Sequence, residues 1–166
     1  LTGANLTRAY LTRADLTGAR LIGARLTDAN LYGADLTGAR LTGAILTGAD
    51  LTDANLTGAI LSGANLTGAS LTNARLTGAN LTRAYLRGAQ IEGQTIISLL
   101  RRATRSDGYE FFLWHCKEGF FVKAGCRFMD MKEARKHWTE TRGGTPLGDE
   151  TLDILRFFAT AIKRAA

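Results

Sequence analysis

The chain has 166 residues and a formal net charge of +6, with 45% hydrophobic and 22% charged residues. That length holds one or two domains, and the charge is divided evenly, +3 over residues 1–90 and +3 over residues 91–166. No apolar run is long enough to cross a bilayer as a helix and no signal segment is evident, so a cytoplasmic protein is expected. Two cysteines, Cys116 and Cys126, cannot form a disulfide framework and read as reduced thiols.

Leucine stands at every fifth position from Leu1 to Leu86, and alanine at every fifth from Ala4 to Ala89. Residues 1–90 therefore divide into eighteen five-residue blocks without insertion, eight of them opening Leu-Thr-Gly-Ala. On an α-helix, at about 100° per residue, such leucines would wind around the whole surface, and on a flat strand they would alternate faces. A chain that bends once per block returns every leucine to one interior, which is the logic of a solenoid. Threonine or serine after almost every leucine suits turns, where the hydroxyl bonds locally to backbone. The register Gly18, Gly38, Gly58 and Gly78 marks corners of unusual φ.

The strings Ala14-Asp15-Leu16-Thr17-Gly18 and Ala54-Asn55-Leu56-Thr57-Gly58 resemble the pentapeptide-repeat family, over residues 1–92. The resemblance implies a right-handed quadrilateral β-helix with four blocks to a coil and leucine and alanine inside. At about 4.8 Å per coil this is a rod roughly 22 Å long.

The repeat breaks at Glu92-Gly93-Gln94. A capping helix and linker are expected over residues 93–106, with Thr95 as N-cap and helix over 96–103. Its task would be to plug the last coil, with Arg101, Arg102 and Arg105 complementing the helix C-terminus.

Residues 107–166 read as a small α+β domain of ββαα order, so the fold class is mainly β. Tyr109 to Cys116 and Phe120 to Cys126 are rich in strand formers and flank the turn Lys117-Glu118-Gly119. Asp130 and Glu133 form a capping box for a helix reaching about Trp138. A loop, Gly143 to Pro146, leads to a last helix over 149–164 with Leu152, Leu155, Phe158, Ala159 and Ile162 on one stripe. The adjacent pairs Phe111/Phe112 and Phe120/Phe121 put one aromatic ring of each on the hairpin's second face, which needs a cover. The strings Ser106 to Phe111, Ala124 to Arg127, Glu133-Ala134-Arg135, His137-Trp138 and Arg142 to Gly148 resemble a C-terminal module of uncharacterised bacterial and phage proteins. That resemblance implies no activity.

Chemistry-bearing residues are few. His115, Cys116, Cys126 and His137 lack zinc spacing: His115 and Cys116 are strand neighbours pointing to opposite faces, and there is no C-x₂-C. A Cys126–His137 nucleophile pair lacks an orienting third group. Arg142-Gly143-Gly144-Thr145 lacks the Gly-Lys-Ser/Thr ending of a phosphate loop. No catalytic residue, metal or cofactor is expected. The varied residues of the C-terminal domain are the better contact surface, with Trp114, His137, Trp138 and Arg142 as interaction candidates.

The outward positions before leucine stack with a period of twenty, for example Asp15-Asp35-Asn55-Arg75 and Arg20-Arg40-Ile60-Asn80. The resemblance implies, for some members, a DNA-like acidic rod that binds type II topoisomerases. Here the repeat region is net positive and has no acidic ladder beyond Asp15 and Asp35. Its arginines are scattered over several faces, apart from Arg8, Arg13, Arg20 and Arg25 near the N-terminal coils, which argues against nucleic acid as the ligand. The reading is therefore a non-enzymatic solenoid with a C-terminal cap and docking module for a protein partner. The alternative is a regulator of a DNA-handling enzyme. A homodimer through the N-terminal coils is also expected, because an uncovered coil presents unpaired backbone groups.

Overall fold

The computed structural model describes residues 1–124 and 127–165. The described chain divides into two compact units, Leu1–Ile97 and Ser98–Ala166.

In the first unit each block is one β-turn. The alanine N–H donates to the leucine carbonyl three residues earlier, as Ala44 does to Leu41 at 3.0 Å. The third residue of the block has φ between about +54° and +75°, whether glycine or one of Arg8, Arg13, Asp28, Asp53, Asn73 and Arg83. That is the φ signature of a type II turn, which explains the excess of glycine. Four such turns close a coil of twenty residues, and parallel bridges join each coil to the next, from Asn5↔Arg25 to Ser70↔Gln90. The coil-to-coil bonds alternate in direction: Leu46 N–H donates to the Asn65 carbonyl at 2.7 Å, and Asn65 N–H to the Ala44 carbonyl at 2.8 Å. Leucines and alanines fill the interior, and from Leu21 to Leu71 the leucines are wholly buried.

The unit ends in a hairpin. β1 (Gln90–Ile91) pairs with the start of β2 (Gln94–Thr104), Ile91 opposite Gln94. The two-residue loop Glu92-Gly93 has φ of +48° and +76°, the left-handed pair that a type I′ hairpin turn requires. This corrects the sequence reading: the stretch expected as a capping helix is strand. The run Thr95-Ile96-Ile97 is β-branched, which costs side-chain freedom in a helix and suits a pleated surface. The hairpin still caps the solenoid. Gly88 N–H donates to the Ile96 carbonyl at 2.8 Å, Ile96 N–H to the Ala89 carbonyl at 2.7 Å, and Asn73 N–H to Glu92 Oε1 at 3.2 Å. Ile91 and Ile96 are buried there.

The second unit holds the rest of β2, then β3 (Glu110–Cys116), β4 (Gly119–Ala124), β5 (Arg127–Asp130), α1 (Met131–Arg142) and α2 (Pro146–Ala165). Its strand order is β2-β3-β4-β5. β3 and β4 are antiparallel with Cys116 opposite Gly119, and β4 and β5 are antiparallel with Ala124 opposite Arg127. The expected ββαα order thus gains a strand on each side of the hairpin. β5 has four residues, too few to carry a legible alternation. Asp130 caps α1, accepting from Lys132 and Glu133 N–H, while Glu133 Oε2 accepts from Asp130 N–H. α2 starts three residues earlier than expected. Thr145 Oγ1 accepts from Gly148 N–H at 3.1 Å, placing Thr145 at the cap and Pro146 at the first helical position. Phe111, Leu113, Val122, Ala134, Trp138, Leu155 and Phe158 form the core between sheet and helices.

Candidate functional site

The second unit contains a cleft of about 850 Å³, within the range of ligand pockets. Three pieces of chain build it: the β2–β3 loop with Arg105, Asp107 and Tyr109; Arg127 at the start of β5; and the α1–α2 junction from His137 to Leu147.

The loop wall is fixed from within. Buried Arg105 clamps Asp107 through Nε to Oδ1 at 2.9 Å and Nη2 to Oδ2 at 2.6 Å, and donates from Nη1 to Thr151 Oγ1 at 3.0 Å. Its guanidinium lies 5.0 Å from the centre of the Tyr109 ring. That bidentate bond holds the Asp107 carboxyl down at about 2. Ser106 is tied to the start of α2, its N–H and Oγ both donating to Glu150 at 2.7 Å. Tyr109 OH donates to the Ala124 carbonyl at 3.0 Å.

The junction wall depends on close backbone packing. Gly148 is buried, and a Cβ there would sit 2.7 Å from the Arg142 carbonyl carbon and 3.0 Å from Thr145 Oγ1. The Arg142 carbonyl accepts from Thr145 N–H at 3.2 Å and from Thr145 Oγ1 at 2.7 Å. Glycine at 148 is what lets the C-terminal turn of α1 meet the first turn of α2. On α1, His137 makes an edge contact with Trp138, ring centres 5.0 Å apart. Trp138 in turn makes an edge contact with Phe111 of the core at 5.5 Å.

Three of the four interaction candidates, His137, Trp138 and Arg142, thus line one cleft. Trp114 does not. It is wholly buried in β3, stacked on Phe112 with ring centres 6.1 Å apart, and offers no surface to a partner. Its strand places it among residues buried on both faces, a context invisible in a run of aromatics. The other lining residues, Arg105, Asp107, Tyr109, Arg127 and Leu147, went unread as a group because only tertiary folding gathers them. The spacing Arg105-x-Asp107-x-Tyr109 and the Thr145-Pro146 helix start were the available signals.

His115 stacks on Phe120 at 4.7 Å, and Cys116 is buried with its thiol pushed up to about 11, mainly by desolvation. Cys126 lies outside the described residues. Among the described residues no cluster of three or more His, Cys, Asp or Glu could hold a metal ion.

The solenoid faces carry a different chemistry. Asp15 bridges to Asp35, and their carboxyls are both lowered by bonds from Thr17 and Thr37 respectively. Asn55 and then Arg75 end that ladder, while Arg20 and Arg40 lie side by side on another. The outward ladders are thus short in any one sign of charge.

The family model for pentapeptide repeats matches in eight copies, over residues 1–31, 24–63 and 59–93. The chain belongs to the pentapeptide repeat family. Solved structures of pentapeptide repeat proteins resemble it. Rfr23 from the cyanobacterium Cyanothece 51142 is 46% identical with a TM-score of 0.44, over 55% of this chain and 58% of that one. A pentapeptide repeat protein of the Arabidopsis thaliana thylakoid lumen is 38% identical with a TM-score of 0.36, over 54% and 63%. QnrB1, a plasmid-mediated fluoroquinolone resistance protein, is 21% identical with a TM-score of 0.26, over 54% and 56%. The pentapeptide repeat chain therefore spans under two thirds of each of these relatives. No curated protein matches it. Among the described residues, no helix is long and apolar enough to cross a membrane.

Proposed function

We propose that this pentapeptide repeat protein is a non-enzymatic interaction protein whose C-terminal unit docks a partner protein through the cleft. The supporting observation is the gathering of His137, Trp138 and Arg142 into one cleft, together with Arg105, Arg127, Pro146 and Leu147. Aromatic rings and arginine at the centre of a patch are the usual anchors of protein contacts. The solenoid serves as a rigid scaffold. From residue 21 to residue 75 its side chains divide into a buried leucine–alanine interior and short, mixed outward ladders. The alternative, a DNA-like ligand of a topoisomerase, calls for an extended acidic face. The Asp15–Asp35 ladder continues instead to Asn55 and Arg75.

Site-specific photocross-linking tests the docking reading. A photoreactive residue at Thr141, in the cleft, should capture a discrete protein in a lysate of the source organism, whereas one at Thr67 on the solenoid should not. Capture from Thr67 with none from Thr141 would move the docking function to the repeats.

A further inference from the structure

The cleft has a chemical preference. Three arginines and one aspartate line it, and Asp107 is already clamped by Arg105. That leaves Arg127 and Arg142, both exposed and neither in an ion pair among the described residues. The same cleft is lined by the exposed Pro146 and the half-buried Leu147, while Trp138 beneath is almost wholly buried.

We propose that the cleft binds an acidic peptide segment of a partner protein, its carboxylates on Arg127 and Arg142 and an apolar side chain against Pro146 and Leu147. This rests on the docking reading and names the chemistry of the partner. Arginine's planar fork matches a carboxylate with two parallel bonds, and two unpaired guanidinium groups in one cleft with Pro146 and Leu147 suit carboxylates and an apolar residue along one chain.

The backbone argues against a phosphate ligand in the same place. A phosphate cradle needs several free N–H groups converging at a helix start. Here Gly143 N–H donates to the Thr139 carbonyl, Thr145 N–H to the Arg142 carbonyl, and Asp149 N–H to the Thr145 carbonyl. Gly148 N–H is taken by Thr145 Oγ1, and Pro146 has none to give. Four N–H groups of the junction are thus already committed.

The test uses the full chain and a short fluorescein-labelled peptide of aspartate and glutamate around a central phenylalanine. Anisotropy is read at about 0.15 M salt, where charges beyond roughly 8 Å are screened. The wild type should bind saturably, and R127E/R142E should weaken binding by about tenfold or more. The control R20E/R40E makes the same change in net charge on the solenoid and should stay within about twofold. Tryptophan fluorescence unfolding verifies that the C-terminal unit is folded in each variant, and far-UV circular dichroism melting verifies the repeats. Equal losses in the two double variants would reduce the effect to general attraction, and the proposal would fall. It would also fall if the peptide did not bind, or if inorganic phosphate or ATP displaced it at comparable concentration. The Thr141 cross-link, read in parallel, separates the two claims. A captured protein with no acidic-peptide binding would overturn the partner chemistry and leave the docking function standing. Peptide binding with no captured protein would overturn the docking function.

Discussion

Replacing Gly148 by alanine sets two effects of opposite sign against each other. Glycine inside a helix is less favourable than alanine by about 1 kcal/mol, so propensity alone says that G148A stabilises. The structure says the reverse. The added methyl would stand 2.7 Å from the Arg142 carbonyl carbon and 3.0 Å from Thr145 Oγ1, well inside contact distance. Relief requires moving both the Arg142 carbonyl and the Thr145 side chain. The first motion breaks the carbonyl's bonds to Thr145, and the second uncaps α2 at Gly148. Two such bonds are worth about 1–3 kcal/mol together and overpacking costs about 1–3 kcal/mol more. Subtracting the propensity gain leaves a net destabilisation of roughly 1–5 kcal/mol. The assay is clean because both tryptophans, Trp114 and Trp138, lie in the C-terminal unit. Urea unfolding followed by their fluorescence reports that unit, where 2 kcal/mol shifts the midpoint by about 1 M. An unchanged or higher midpoint would refute the close approach of α1 and α2 as the reason for glycine.

Leu46→Asp should unfold the repeats at a much lower temperature, because it buries an unpaired charge at several kcal/mol, whereas Thr47→Asp should melt near wild type by far-UV circular dichroism. Arg83 holds a φ of +58°, so Arg83→Gly should raise the repeat unit's stability by roughly 0.5–1 kcal/mol; a lowered melting temperature would contradict the turn assignment. Asp107 has its carboxyl lowered from 3.8 to about 2, so its contribution should be full above about pH 4 and vanish as pH falls through about 2. Asp107→Asn should flatten that part of the stability profile measured by tryptophan fluorescence. Cys116, with its thiol near 11 and its side chain buried, should resist iodoacetamide at about pH 8 in the native protein and react after unfolding, as read by peptide mapping.

The repeat unit was legible from sequence because its code is local. Leucine, a turn pair and alanine define each block, and the twenty-residue coil follows from the repetition observed as n to n+20 bridges. The reading failed where local preference was ambiguous. Ile96, Ile97, Leu99 and Leu100 fit an apolar helical stripe as well as a strand, and the deciding feature was the left-handed pair Glu92-Gly93, which turns the chain back. At the start of α2, acidic Asp149 and Glu150 drew attention away from the Thr145-Pro146 cap. The capping box at Asp130 and Glu133 was legible for the reason the coils were, since both partners sit within one turn. The cleft was only half legible. His137, Trp138 and Arg142 share one helix, but Arg105 and Arg127 reach it from other parts of the fold.

Because every block from residue 21 to residue 75 buries the same leucine and alanine, the interior there cannot tell one block from another. Removing one block, residues 26–30, would leave the core intact yet turn all later ladders by a quarter of a coil. Asp15 would then stand beside Arg40 instead of Asp35, and Arg25 beside Asp50 instead of Ile45. Gain or loss of whole blocks is thus a way to reshuffle an exterior at little cost in stability. In such a rod, surface pattern is inherited as phase: the same residues carry a different message according to how many fives precede them.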